Sequence, residues 1–134
     1  MVHIRFFVVS LLNTVVELVV FNALLHALVQ SDSVYAFVLI KSVSFFTAVT
    51  HSYFWNMNWT FAYRRETESQ FSKFGQFLGV NLVSFSVNLI VATLSLLLLQ
   101  NAEINYFVAT NLATLLGSAS GMVINFKGYK KLFI

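Results

Sequence analysis

The 134-residue sequence contains no cysteine, no proline and only five glycines, and just 10% of it is Asp, Glu, Lys or Arg. The absence of cysteine excludes a disulfide scaffold, a cysteine-ligated zinc site and thiol catalysis. Without proline, and with little glycine, few positions break a helix, so apolar runs should form long and mostly unbroken helices. A soluble domain carries roughly 25% charged residues. This chain has too few to cover a water-facing surface, and 58% of it is hydrophobic. An ordinary soluble domain is thereby excluded. So are a disordered chain, which needs low hydrophobicity, and a nucleic-acid-binding domain, which needs a basic face.

What the sequence does contain is apolar runs. A helix needs about 20 mostly apolar residues to cross the roughly 30 Å hydrocarbon layer. Four runs qualify: 4–29, 34–57, 71–99 and 106–126. Polar breaks separate them at Gln30-Ser31-Asp32-Ser33, at Arg64 to Gln70 and at Gln100-Asn101-Ala102-Glu103. The first and third breaks read as tight hairpin turns, the second as a charged loop over about 62–70. A membrane barrel would alternate apolar and polar residues. Stretches such as Leu94-Ser95-Leu96-Leu97-Leu98-Leu99 do not. The first run is too long for a cleaved signal peptide and reads as a permanent helix. The expected fold is therefore an all-α membrane protein over residues 1–134. Its four transmembrane helices form two helical hairpins of parallel topology.

Seven of the eight basic residues, Arg5, Arg64, Arg65, Lys73, Lys127, Lys130 and Lys131, fall at the N-terminus, the middle loop or the C-terminus. The two hairpin turns hold only acids, Asp32 and Glu103. By the positive-inside rule both termini and the middle loop should be cytoplasmic, in a multi-pass protein of the cytoplasmic membrane. The halves also resemble each other. Arg5-Phe6 and Lys73-Phe74 open the first and third helices, and Asn13 and Asn81 follow at equal spacing. Both halves start on the same side, so the repeat is parallel, not the inverted kind that many transporters exchange.

With Glu66 and Glu68 in the charged loop, one acid and one base remain, Glu17 near the middle of the first run and Lys41 inside the second. A charge at the membrane centre costs about 2.5–3.5 kcal/mol on insertion scales, so both should face the interior or a wet cavity. Two roles are open. The pair either locks the first two helices together, or Lys41 binds a lipid phosphate with Glu17 as its orienting or proton-binding partner. Polar residues at helical spacing surround them. Asn13 lies one turn before Glu17, Ser44 one turn after Lys41, and Asn81, Asn88 and Asn111 sit on the third and fourth helices. These amides line a polar groove or act as packing glue between helices. Gly75 with Gly79, and Gly117 with Gly121, have the spacing of close helix–helix contacts. Trp55, Trp59, Tyr53, Phe61 and Tyr63 form an aromatic belt. His51 is expected to hydrogen-bond a neighbour. No phosphate-binding loop, metal-ligand spacing or catalytic triad is visible, so no cofactor, metal or catalytic residue is expected, and no enzyme.

The residues at the helix ends resemble a known family. Asn13-Thr14-Val15-Val16-Glu17 resembles the first-helix motif of GtrA-like proteins, an Asn-Thr pair ahead of an acid. Tyr53-Phe54-Trp55-Asn56-Met57-Asn58-Trp59-Thr60-Phe61 is similar to that family's signature after the second helix, and Asn125-Phe126 with Tyr129-Lys130 to its repeat after the fourth. The sequence departs at Met57, where the family often has a basic residue. The resemblance implies a small membrane protein of cell-surface polysaccharide or teichoic-acid glycosylation. Such a protein moves a polyprenyl-phosphate-linked sugar across the membrane. Its implied cytoplasmic headgroup or signature positions are Asn56, Trp59, Asn125, Tyr129 and Lys130. The implied partners are the sugar lipid, membrane lipids and a membrane glycosyltransferase, with no nucleic acid. Four helices enclose little space, so a homo-oligomer is also expected. A non-transporting anchor for a glycosyltransferase is the second reading. A small-cation exporter is the third, and Lys41 beside Glu17 argues against it.

Overall fold

The structure, a computed structural model, describes residues 2–28, 32–60 and 70–133. Helix α1 spans Val2–Leu28 and α2 spans Val34–Trp55. A π-helical turn, Asn56–Thr60, continues α2. Helix α3 spans Gln70–Asn101 and α4 spans Tyr106–Phe133. All four helices are long and apolar enough to cross a membrane, and the described residues contain no strand. The charged loop expected at 62–70 lies outside the described residues except for Gln70, which already belongs to α3, and so do Gln30, Ser31, Phe61 and Tyr63. The sequence reading closes the fourth span at 126, but α4 runs about two turns further. Nothing in Lys127-Gly128-Tyr129-Lys130-Lys131 breaks a helix, and lysines in the last turn favour its negative end. Lys130 is exposed on this extension, while Tyr129 turns inward.

The solvent for this fold is lipid, and burial is inverted accordingly. Leu98 is 70% exposed and Leu39 68%, whereas Lys41 is 1%, Glu17 2% and Asn88 2% exposed. Hydrocarbon gains nothing from hiding leucine, so polar groups and small residues decide which faces meet. The α3–α4 hairpin is the tightest contact. Gly117 lies against Asn88 and Ala92, Gly121 against Ser84 and Asn88, and Gly128 against Val80. Ser84 Oγ donates to the Gly121 carbonyl at 2.9 Å. The turn between these helices is set locally. Glu103 adopts a left-handed φ of 57°. Its N–H reaches the Gln100 carbonyl at 3.0 Å, and the Ile104 N–H reaches the Leu99 carbonyl at 3.2 Å. That is a Schellman C-cap. Asn105 Oδ1 then accepts from the Phe107 N–H at 3.0 Å and caps α4.

The α1–α2 hairpin is the other close pair, and the two hairpins touch each other far less than their own helices do. The interior is layered along the bundle. Toward the hairpin turns, Phe21, Leu25, Phe37, Ile40 and Leu96 form an apolar cluster with Ala92, Ala109 and Ala113. Toward the chain termini, Phe6, Phe45, Val49, Phe77 and Tyr129 form an aromatic one. Phe77 stacks on Tyr129 with ring centroids 5.5 Å apart, and Phe6 meets the same ring edge-on. Glu17, Lys41, Asn88 and Ser118 occupy the layer between the clusters.

Candidate functional site

In that middle layer Lys41 Nζ donates to Glu17 Oε1. Ser118 Oγ donates to Glu17 Oε2 at 2.7 Å. The carboxylate therefore joins three helices, α1, α2 and α4. The ion pair lies within the first hairpin, and the Ser118 bond crosses to the second. One turn and a half toward the hairpin turns, Asn22 and Asn111 exchange amide hydrogen bonds of 2.8 and 3.0 Å. Nearer still to the turns, Tyr106 Oη donates to the Ser33 carbonyl at 3.2 Å. These side-chain bonds staple the hairpins on the turn side of the layer. On the terminal side, the contacts across the hairpins are aromatic: Phe6 on Tyr129 and Phe126, and Tyr53 on Phe77.

A cavity of about 20 Å³ opens beneath Glu17, on the terminal side. All four helices line it, and its polar wall includes Asn13, Glu17, Ser84, Asn88, Ser118 and Asn125. That volume holds about one water-sized group. The side-chain amide oxygens of Asn13, Asn88 and Asn125 are buried and have no hydrogen-bond partner. Unpartnered buried polar groups are rare in native interiors and cost about 1–3 kcal/mol each. Four helices converging on three uncommitted amides make this layer the candidate site. Among the described residues no group of three His, Asp or Glu side chains is placed to hold a metal ion.

The remaining sequence candidates fall elsewhere. Lys41 is buried, ion-paired to Glu17, and forms no part of the cavity wall. Ser44 is buried, but its Oγ donates to the Lys41 carbonyl at 2.9 Å, on its own helix. Asn81 sits in the aromatic layer and donates to Tyr129 Oη and to the Phe77 carbonyl. Asn111 is committed to Asn22. Asn56 starts the π-helical turn and donates to Ser52 Oγ at 2.9 Å. Trp59 lies under Arg5, whose guanidinium is 5.6 Å from the ring centroid and donates to the Trp59 carbonyl at 3.1 Å. His51 accepts from Trp55 Nε1 at 2.9 Å, the neighbour bond expected of it. Asn125 and Tyr129, from the signature segment at the end of the fourth helix, line the cavity.

Two partners escaped the sequence reading. Asn22 lies off the helix face that carries Asn13 and Glu17, and its only signal is an amide within an apolar run. Arg5 reads as a topology charge, yet it anchors the end of α2. The GtrA/DPMS transmembrane domain matches residues 5–134. The chain belongs to this family. No curated protein and no solved structure matches it. Membership supports a multi-pass membrane protein of lipid-linked sugar processes. Within this GtrA/DPMS chain the motif residues divide by depth. Asn13, Glu17, Asn125 and Tyr129 meet at the cavity, and Asn56 and Trp59 form the terminal π-helical turn.

Proposed function

We propose that this protein moves a polyprenyl-phosphate-linked sugar across the cytoplasmic membrane for glycosylation of a surface polysaccharide or teichoic acid, with its termini in the cytoplasm. The observation that carries the reading is a polar, incompletely hydrogen-bonded layer at the meeting of four helices, inside a protein whose outer surface is apolar. A lipid with a large polar head needs such a layer to cross hydrocarbon, while its chain stays in the bilayer. The cavity is too small for a sugar, so passage of the head requires this layer to widen. Opening requires the two hairpins to part, and their packing against each other is the loosest in the bundle. The energy comes from consumption of the sugar on the far side. Several copies associate through the outward Gly75–Gly79 face, where an added Cβ would meet nothing within 4 Å.

The second reading, a membrane anchor that holds a glycosyltransferase, needs no polar layer. Purified protein in liposomes separates the two. Polyprenyl-phosphate sugar placed in one leaflet is expected to reach the other in proportion to protein content. Asn13→Leu, which puts an apolar side chain of similar size into the cavity wall, is expected to slow that movement severalfold. Absence of movement by the wild type across a panel of sugars supports the anchor.

A further inference from the structure

We infer that the polar layer around this cavity, once the hairpins part, receives the uncharged, hydroxyl-bearing part of the ligand and that a phosphate is kept out of it. The inference rests on the translocation reading and divides that ligand into two parts. The composition of the wall carries it. Three amide side chains, each able to donate and accept, surround the space with serine hydroxyls. The one charged side chain on the wall is the carboxylate of Glu17. The cation that would welcome a phosphate, Lys41, is ion-paired to that carboxylate and lies outside the wall. Arg5, at the terminal end, is held on Trp59.

A phosphate in this space would meet an anion of like sign in a low-dielectric layer, with no partner cation on the wall. Anion sites need charged donors or several convergent N–H groups aimed at the oxygens. A sugar hydroxyl has neither difficulty. It donates to the carboxylate or to an amide oxygen and accepts from an amide N–H or a serine. The pairing of donors with acceptors holds whichever way each amide is turned, because each carries both. Asn88 is the strongest single member. It is 2% exposed, it lines the cavity, and its Oδ1 has no partner. Lys41 is then a positioning residue. It keeps the carboxylate in place through Oε1 while Ser118 holds Oε2.

The test is binding, measured by native mass spectrometry on the full chain in nanodiscs. The probes are a short-chain prenyl phosphate without sugar, the same lipid carrying each of several hexoses or pentoses, and alkyl glycosides of those sugars. The wild type should prefer at least one glycosylated lipid to the bare phosphate. Asn88→Leu and Asn125→Leu should each weaken the glycosylated lipid and its matching alkyl glycoside about tenfold or more, as loss of a buried hydrogen-bonding group does. Bare prenyl phosphate should change less than about twofold. Thermal unfolding confirms that each variant is folded. Asn125 is only half-buried, so its variant serves if Asn88→Leu fails to fold.

Equal loss of both lipids would place the phosphate in the cavity and overturn the inference. Unchanged binding of the glycosylated lipid, or a wild type with no preference for any sugar, would overturn it as well. Failure of the translocation reading looks different. There the wild type moves no lipid across the bilayer, yet sugar binding still depends on Asn88 and Asn125.

Discussion

Lys41→Met is expected to destabilise the protein by about 3–5 kcal/mol, the cost of removing one member of a buried ion pair. The substitution keeps the length and apolar stem of the side chain, so the loss comes from the charge and not from a cavity. What remains is the carboxylate of Glu17, 2% exposed and held by a single hydroxyl, that of Ser118. Glu17→Gln alone is expected to cost a comparable amount, because it leaves a buried ammonium facing a neutral amide. The double variant, Glu17→Gln with Lys41→Met, should recover most of the loss. Buried pairs replaced by neutral side chains of similar volume are often no less stable than the original. Equilibrium unfolding in mixed micelles gives all three values. If the double variant is as unstable as either single one, the pair does not act as the unit described above. If Lys41→Met costs less than about 1 kcal/mol, an exposed pair would account for it and the buried one would not.

The second large effect belongs to Gly117. A Cβ built there would lie 2.5 Å from Asn88 Oδ1, 2.7 Å from the Asn88 carbonyl oxygen and 2.8 Å from Ala92 Cβ. The amide can turn away, but the backbone oxygen and the alanine methyl cannot move without separating α3 from α4. Gly117→Val is therefore expected to cost about 1–3 kcal/mol from overpacking, and to displace Asn88 from the cavity. Gly128→Ala meets only the Val80 side chain at 2.7 Å, and Gly121→Ala meets the Ser84 hydroxyl at 3.0 Å. Both should cost less than Gly117→Val. Gly75→Ala and Gly79→Ala meet nothing within 4 Å. Within one protomer they should be neutral or stabilising by up to about 1 kcal/mol, the helix-propensity gain of alanine over glycine, while an added methyl on this face should weaken the association of copies. The order of unfolding midpoints, Gly117→Val lowest and Gly79→Ala highest, checks this. It also separates two glycine pairs that look identical in sequence. One is the seam of a hairpin and the other an outward face.

That contrast shows how far the sequence was legible. Four helices, their pairing into hairpins and the partnership of Glu17 with Lys41 follow from apolar run length and from the cost of charge in lipid. Both are strong, local constraints. The third break reads as a tight turn, but its Schellman form was not legible, because Glu103 takes the left-handed position that glycine or asparagine usually holds. The commitments of individual amides were not legible. Asn81, Asn88 and Asn111 all lie on polar faces at helical spacing. One is taken by Tyr129, one is uncommitted at the cavity and one is taken by Asn22. The difference depends on which helix lies opposite, and apolar periodicity does not encode that when lipid and core are equally apolar. Lys41 gives the same lesson. Its burial follows from its charge, but its place behind Glu17 rather than on the cavity wall depends on the rotation of α2.

The central claim is that a polar head passes between the hairpins, which therefore have to separate at their terminal end. His3 and Phe126 face each other there across α1 and α4, with ring centroids 5.9 Å apart and outside the cavity. The chain has no cysteine, so His3→Cys with Phe126→Cys introduces the only two thiols. Joining them with a short, reducible bifunctional reagent in liposomes ties one hairpin to the other. Transbilayer movement of polyprenyl-phosphate sugar should fall to the protein-free background and return on reduction, while either single-cysteine variant treated with the reagent keeps moving the lipid. Movement at the wild-type rate through the tethered protein would contradict the account.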